Sequence, residues 1–120
     1  MQFSFTYPMT RGDYDPALAT RAGMTSVLQT AEASGFGAVG FTDHPIPSRR
    51  WLEAGGHHAL APFAALAFCA AVTARIRLMT NVAVAPYRNP FLLAKMVTTV
   101  DVLSNGRTIL GAGTGYLRAE

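Results

Sequence analysis

The sequence predicts an α/β fold, the first half of a parallel (β/α) barrel of the TIM type, with about four strands and three helices. Three observations predict it. Helical segments alternate with short β-like runs, each helix carries its own start and stop signals, and the strands end in polar or glycine-rich stretches. Strands joined through helices must run parallel with right-handed crossovers, so their carboxyl ends share one rim.

The first run, residues 3–7, alternates as a strand should. Asp15 followed by Pro16 offers a cap and a first-turn proline, and the predicted helix continues to Ser34-Gly35, where glycine suits the left-handed stop. Residues 38–42 form a second strand, apolar on both faces, that ends at Asp43-His44-Pro45. A connection over residues 45–58 follows, rich in Pro, Gly, Arg and His with Trp51 in its middle, and longer than the usual two to six residues of such loops. The second helix opens near Pro62 and sets Phe63, Leu66, Ala67 and Ala70 on one face. Residues 76–85 read as the third strand. Asn89-Pro90 opens the third helix, Leu93, Val97 and Val100 mark its buried face, and Ser104-Asn105-Gly106 ends it. Residues 108–111 form the fourth strand, followed by Gly113-Thr114-Gly115-Tyr116. An open doubly wound sheet and an arc of an eight-stranded barrel both fit this order.

Composition narrows the function. At 50% hydrophobic and 14% charged the chain has much apolar surface to bury, yet polar residues, Gly or Pro interrupt every run, so no membrane span is expected. The start lacks a basic segment followed by an apolar one, which makes a cytoplasmic address the expectation. The net charge of +3 comes from scattered arginines, with only Arg49-Arg50 and Arg75/Arg77 close in sequence, so nucleic acid is not an expected partner. Solvated surface accounts for both pairs, with anion capture as the alternative. The single cysteine, Cys69, lies in an Ala-rich helix and reads as a buried inert thiol. No spacing of His, Cys, Asp or Glu resembles a metal site, His57-His58 included, and no nucleophile elbow is present.

Three strand ends carry candidate chemistry. At Thr42-Asp43-His44, either Asp43 caps the loop while His44 packs on Pro45, or the carboxylate and imidazole serve proton or cofactor chemistry. Thr80 and Asn81 interrupt an apolar strand, and a buried amide there needs a hydrogen-bond partner, internal or ligand. Gly111-Ala112-Gly113-Thr114-Gly115 lets a ligand approach bare main chain, although it matches neither the dinucleotide fingerprint nor a phosphate-binding P-loop.

Together, Gly35-Phe36-Gly37-Ala38-Val39 leading to Thr42-Asp43-His44, Arg75 to Val82, Tyr87-Arg88-Asn89-Pro90 with Leu92 to Lys95, and Asp101 to Arg107 followed by Leu110 to Tyr116 resemble the bacterial-luciferase-like superfamily. Within it they resemble the branch that uses the deazaflavin coenzyme F420. The resemblance implies that residues 1–120 are the N-terminal part of a single barrel domain that holds F420, or alternatively FMN, at its carboxyl rim. It places Asp43 and His44 beside the tricyclic ring, Thr80, Asn81 and Val82 on its other side with a cis peptide at Asn81-Val82, and Gly113, Thr114 and Gly115 near its tail. The implied activity is hydride transfer or monooxygenation of a small organic substrate, with His44 handling the proton. Some relatives carry an acid near the position of Tyr116, so the residue that donates the proton is open. A complete barrel needs about 250 residues. The competing expectation is therefore a non-catalytic fragment or assembly subunit, and exposed first and fourth strands would favour pairing with a second copy.

Overall fold

A computed structural model describes residues 1–116. Four parallel strands, β1 (Ser4–Thr6), β2 (Ala38–Phe41), β3 (Arg77–Thr80) and β5 (Thr108–Ile109), pair in the order β1-β2-β3-β5. Two short strands between and after them, β4 (Ala83–Val84) and β6 (Ala112–Gly113), pair parallel with each other. Among the described residues, four helices, α1 (Arg21–Ala33), α2 (Arg49–Glu53), α3 (Pro62–Val72) and α4 (Pro90–Ser104), accompany the strands together with one-turn 3-10 segments at Pro16–Ala19 and Ala85–Tyr87. Neighbours in sequence are neighbours in the sheet, as in an arc of a barrel and unlike a doubly wound sheet, whose order reverses.

The core lies between the sheet and the helices α1, α3 and α4. Leu28, Leu66, Ile76, Leu78, Val39 and Val100 are its largest fully buried apolar side chains, and β2 is buried along its whole length as a central parallel strand must be. Cys69 is fully buried, and burial pushes its thiol up to about 12, which keeps it protonated and unreactive at neutral pH.

Several element boundaries differ from the sequence reading, each for a local reason. Asp15 caps only a 3-10 turn, through Ala17 N–H at 2.9 Å. The chain then turns at Thr20, whose hydroxyl caps Gly23 N–H at 3.1 Å and starts α1. Gly23 is required at that junction, because a Cβ there would lie 2.0 Å from the Ala17 carbonyl oxygen. Residues 45–58 contain the short helix α2, capped by Ser48, where a plain loop was expected. The predicted third strand divides into β3 and β4 at the Asn81-Val82 peptide, which is cis as the resemblance implied. Asn81 and Val82 are consequently exposed rather than buried, and Asn81 finds an internal partner in Thr6, its Nδ2 donating to Oγ1 at 3.1 Å. The predicted fourth strand stops after Ile109 because the Thr80 side chain replaces the strand ladder. Its Oγ1 donates to the Gly111 carbonyl at 2.8 Å and accepts from Gly111 N–H at 3.0 Å.

The turn from α3 into β3 rests on one carboxylate. Glu32 of α1 accepts N–H groups from Ala74 at 3.0 Å, Arg75 at 2.6 Å and Ile76 at 2.8 Å. Partial burial pushes its pKa up. The three backbone donors and the Arg75 charge outweigh that effect and hold the carboxyl below the ordinary glutamate value. Because the folded value is the lower one, this contribution is complete above the unfolded pKa and disappears as pH falls through the folded value. Unfolding free energy measured from pH 7 down to pH 3 should therefore fall less for Glu32→Gln than for the parent. Equal slopes would show that the cluster carries no linkage.

Candidate functional site

The parallel register brings the carboxyl ends of β2, β3 and β5 onto one side of the sheet, and the chain immediately beyond them encloses a cleft of about 260 Å³. His44, Asn81, Val82, Gly113, Thr114 and Gly115 line it, together with Asp43 and three flanking residues that include Tyr116. Residues more than seventy positions apart in sequence thus face one space. A shallower depression of about 580 Å³ lies over Arg21, Thr25 and Gln29 on the outer face of α1, away from every strand end.

Thr80 is the exception among the sequence-predicted residues. It is only 1% exposed, it is not among the cleft-lining residues, and its hydroxyl is committed to Gly111 in both directions. It fixes the distance between the β3 end and the Gly111 backbone.

Asp43 lies at the edge of the cleft, yet both its carboxylate oxygens are engaged inside the protein. Oδ1 accepts from Arg88 Nη2 at 2.8 Å, while Oδ2 accepts from Arg88 Nη1 and from Val84 N–H at 2.8 Å. The Asp43 side chain is 2% exposed and that of Arg88 17%, so this is a buried bidentate pair. The Arg88 guanidinium also lies over the Phe63 ring, 5.5 Å from its centre. Together these contacts tie the end of β2 to β4 and to the chain entering α4. Arg88 is the residue that the sequence reading left without a role. A carboxylate at the end of a strand buried on both faces needs a cation, and that requirement is the signal for it.

His44 stands at the mouth of the cleft inside a group of rings. Its ring centre is 4.6 Å from Trp51 and 5.1 Å from His57, with Tyr116 edge-on at 6.5 Å. The connection over residues 45–58 thus backs the imidazole from outside, while the cleft lies on its inner side.

The glycines make the opposite wall of bare main chain, for reasons internal to the fold. A Cβ on Gly113 would lie 2.7 Å from Val82 Cγ2. One on Gly115, whose φ is +79°, would lie 2.9 Å from Val84 Cγ1. The close approach of β4 to β6 therefore requires them, and exposed backbone facing the cleft is the result.

A rim-side cleft on an arc of parallel β/α units defines a barrel-type site, in which loops after the strands carry the chemistry. The whole chain, residues 1–120, matches the family model described as luciferase-like monooxygenase, and the chain belongs to that family. It is 42% identical over 89 residues to an F420-dependent glucose-6-phosphate dehydrogenase of Amycolatopsis mediterranei, a match covering 71% of this chain and 25% of that protein. A dehydrogenase of the same description from Nocardia farcinica is 38% identical over 96 residues, covering 77% and 26%. Among solved structures, the monooxygenase RslO1 of Streptomyces bottropensis superposes with a TM-score of 0.72 at 27% identity, over 99% of this chain and 35% of its own. The oxygenating constituent of 3,6-diketocamphane monooxygenase from Pseudomonas putida, in complex with FMN, shares the fold with a TM-score of 0.78 at 21% identity, over 99% and 31%. The chain spans about a quarter of the length of the curated relatives it matches. Those relatives are described as F420-dependent dehydrogenases, and the structural neighbour from Pseudomonas putida is an FMN complex.

The residues present suit the ring of such a cofactor. Val82 is 43% exposed beside strand residues that are buried, and it presents an apolar surface, facing peptide groups of 113–115 and flanked by an imidazole. At about 260 Å³ the cleft is slightly smaller than the roughly 300–1,000 Å³ typical of complete small-molecule sites.

Proposed function

We propose that this chain is the cofactor-ring-binding portion of an F420-dependent oxidoreductase acting on a small organic substrate. The convergence of His44, Asn81, Val82 and the Gly113-Thr114-Gly115 backbone on one cleft carries this reading. The identity to proteins described as F420-dependent dehydrogenases favours the deazaflavin over FMN.

A bound F420 supplies hydride acceptance or donation at its ring. This chain's residues orient that ring and handle the proton. Val82 would hold the cofactor by apolar contact, and main-chain groups of residues 113–115 would hold it by hydrogen bonds. His44 would hold or release a proton where charge develops on the substrate. Asp43 acts through structure, with Arg88 and Val84 keeping the cleft walls at their spacing. Asn81 is held at the cleft by its bond to Thr6.

Titrating the purified chain with F420 and, separately, with FMN tests the reading. Trp51, the only tryptophan, stacks against His44, so ring binding should quench its fluorescence and perturb the cofactor's absorbance. Saturable quenching by F420 with weaker response to FMN is expected. Tighter FMN binding would move the chain to the flavin branch, and silence toward both would overturn the proposal.

A further inference from the structure

We infer that His57 is a positioning residue for His44, fixing the plane of that imidazole at the cleft; the inference deepens the proposed cofactor function and rests on it.

The three rings of His44, Trp51 and His57 are in mutual contact. His44 lies 4.6 Å from Trp51 and 5.1 Å from His57, and Trp51 lies 5.4 Å from His57, centre to centre. The His57 ring meets His44 at 87°, edge against face, while Trp51 is tilted at 36° to it. Edge-to-face and offset contacts at these separations are the favourable arrangements for such rings. One neighbour thus restrains the imidazole along its face and the other across it.

The connection is shaped to deliver His57 to that place. Gly55 adopts φ +94°. Gly56 is buried under the indole, and a Cβ there would fall 2.4 Å from Trp51 Cε3. Trp51 can close over the turn only because residue 56 has no side chain, and this closure places residue 57 against both rings. His57 is itself held: its Nδ1 lies 3.0 Å from the His58 carbonyl oxygen, a contact that requires the proton on Nδ1. The helix α2 that carries Trp51 buries none of its residues in the core. His57 does not line the cleft, so it acts through His44.

The test uses isotope-labelled full chain with His57→Ala, His57→Phe and Gly56→Ala. His44-to-Trp51 nuclear Overhauser contacts and the His44 side-chain coupling constants report whether one ring orientation persists. His57→Ala should average the His44 rotamers and weaken F420 binding. His57→Phe, which keeps a ring edge, should restore a single rotamer. Gly56→Ala, which displaces the indole, should reproduce the alanine result with residue 57 unchanged. A single His44 rotamer in both His57→Ala and Gly56→Ala would overturn the inference, as would failure of phenylalanine to restore it in a chain whose melting curve is that of the parent. The rotamer measurement needs no cofactor, so a chain that binds neither F420 nor FMN defeats the functional proposal and leaves this result to be read separately.

Discussion

Arg88→Ala should lower the stability of this chain by about 3–5 kcal/mol, the cost of leaving one half of a buried ion pair without its partner. Asp43 would retain one donor, Val84 N–H, and lose both guanidinium contacts, while its side chain stays 2% exposed. The Phe63 ring would lose its cation as well. Arg88→Lys should recover only part of the loss, because an ammonium cannot make the two parallel bonds that the guanidinium makes. The double variant Asp43→Asn/Arg88→Met should be less damaging than the sum of the single variants, since it removes the stranded charge. Urea unfolding followed by circular dichroism measures these variants and the single variants Asp43→Asn and Arg88→Met. A loss under about 1 kcal/mol for Arg88→Ala would mean that water reaches Asp43 and that the pair does not hold the rim together.

Gly111→Ala should cost about 3 kcal/mol, at the upper end for overpacking, and should open the cleft. The added Cβ would stand 2.3 Å from the Thr80 carbonyl oxygen, a main-chain atom that cannot rotate away. The β3 end and the segment before β6 would have to separate, breaking the two hydrogen bonds between Thr80 Oγ1 and Gly111. Gly35→Ala is the useful comparison. Gly35 has φ +83° but nothing within 4 Å of a Cβ, so alanine there pays only the left-handed backbone penalty of about 1–2 kcal/mol. Differential scanning calorimetry of the two variants separates steric conflict from backbone preference. If both melt alike, the contact between Gly111 and Thr80 yields more easily than the geometry implies.

Much of this molecule was legible in its sequence because the signals involved are local. Asn89-Pro90 caps and opens α4, Pro62 opens α3, and Gly35 and Asn105 take the left-handed conformations that end α1 and α4. Such signals depend on one turn of chain, and the alternation of helices with short apolar strands then determines a parallel sheet with a common carboxyl rim. That rim accounts for the gathering of Asp43, His44, Asn81, Val82 and the Gly113-Thr114-Gly115 run around one cleft. The motifs also sufficed to point to the luciferase-like family.

Tertiary structure alone decided what each of those residues does in the site. Thr80 reads as a cleft residue by position, but its hydroxyl fills a gap in the ladder opposite Gly111, thirty-one residues away. Asp43 reads as a cofactor contact, but its oxygens are taken by Arg88 and Val84, more than forty residues on. Trp51 and His57 read as parts of a long connecting loop, yet they pack on His44 because Gly56 leaves room for the indole. For Thr80 and Asp43 the deciding partner is distant along the chain and close in space, and the rings of His44, Trp51 and His57 meet only when their connection has folded. Backbone propensities and hydrophobic spacing act over a few residues and therefore specify the elements and their order. Burial of a charge, a hydroxyl or a ring is settled only when the folded chain supplies the opposite face, and those contacts make a rim of strand ends into a site.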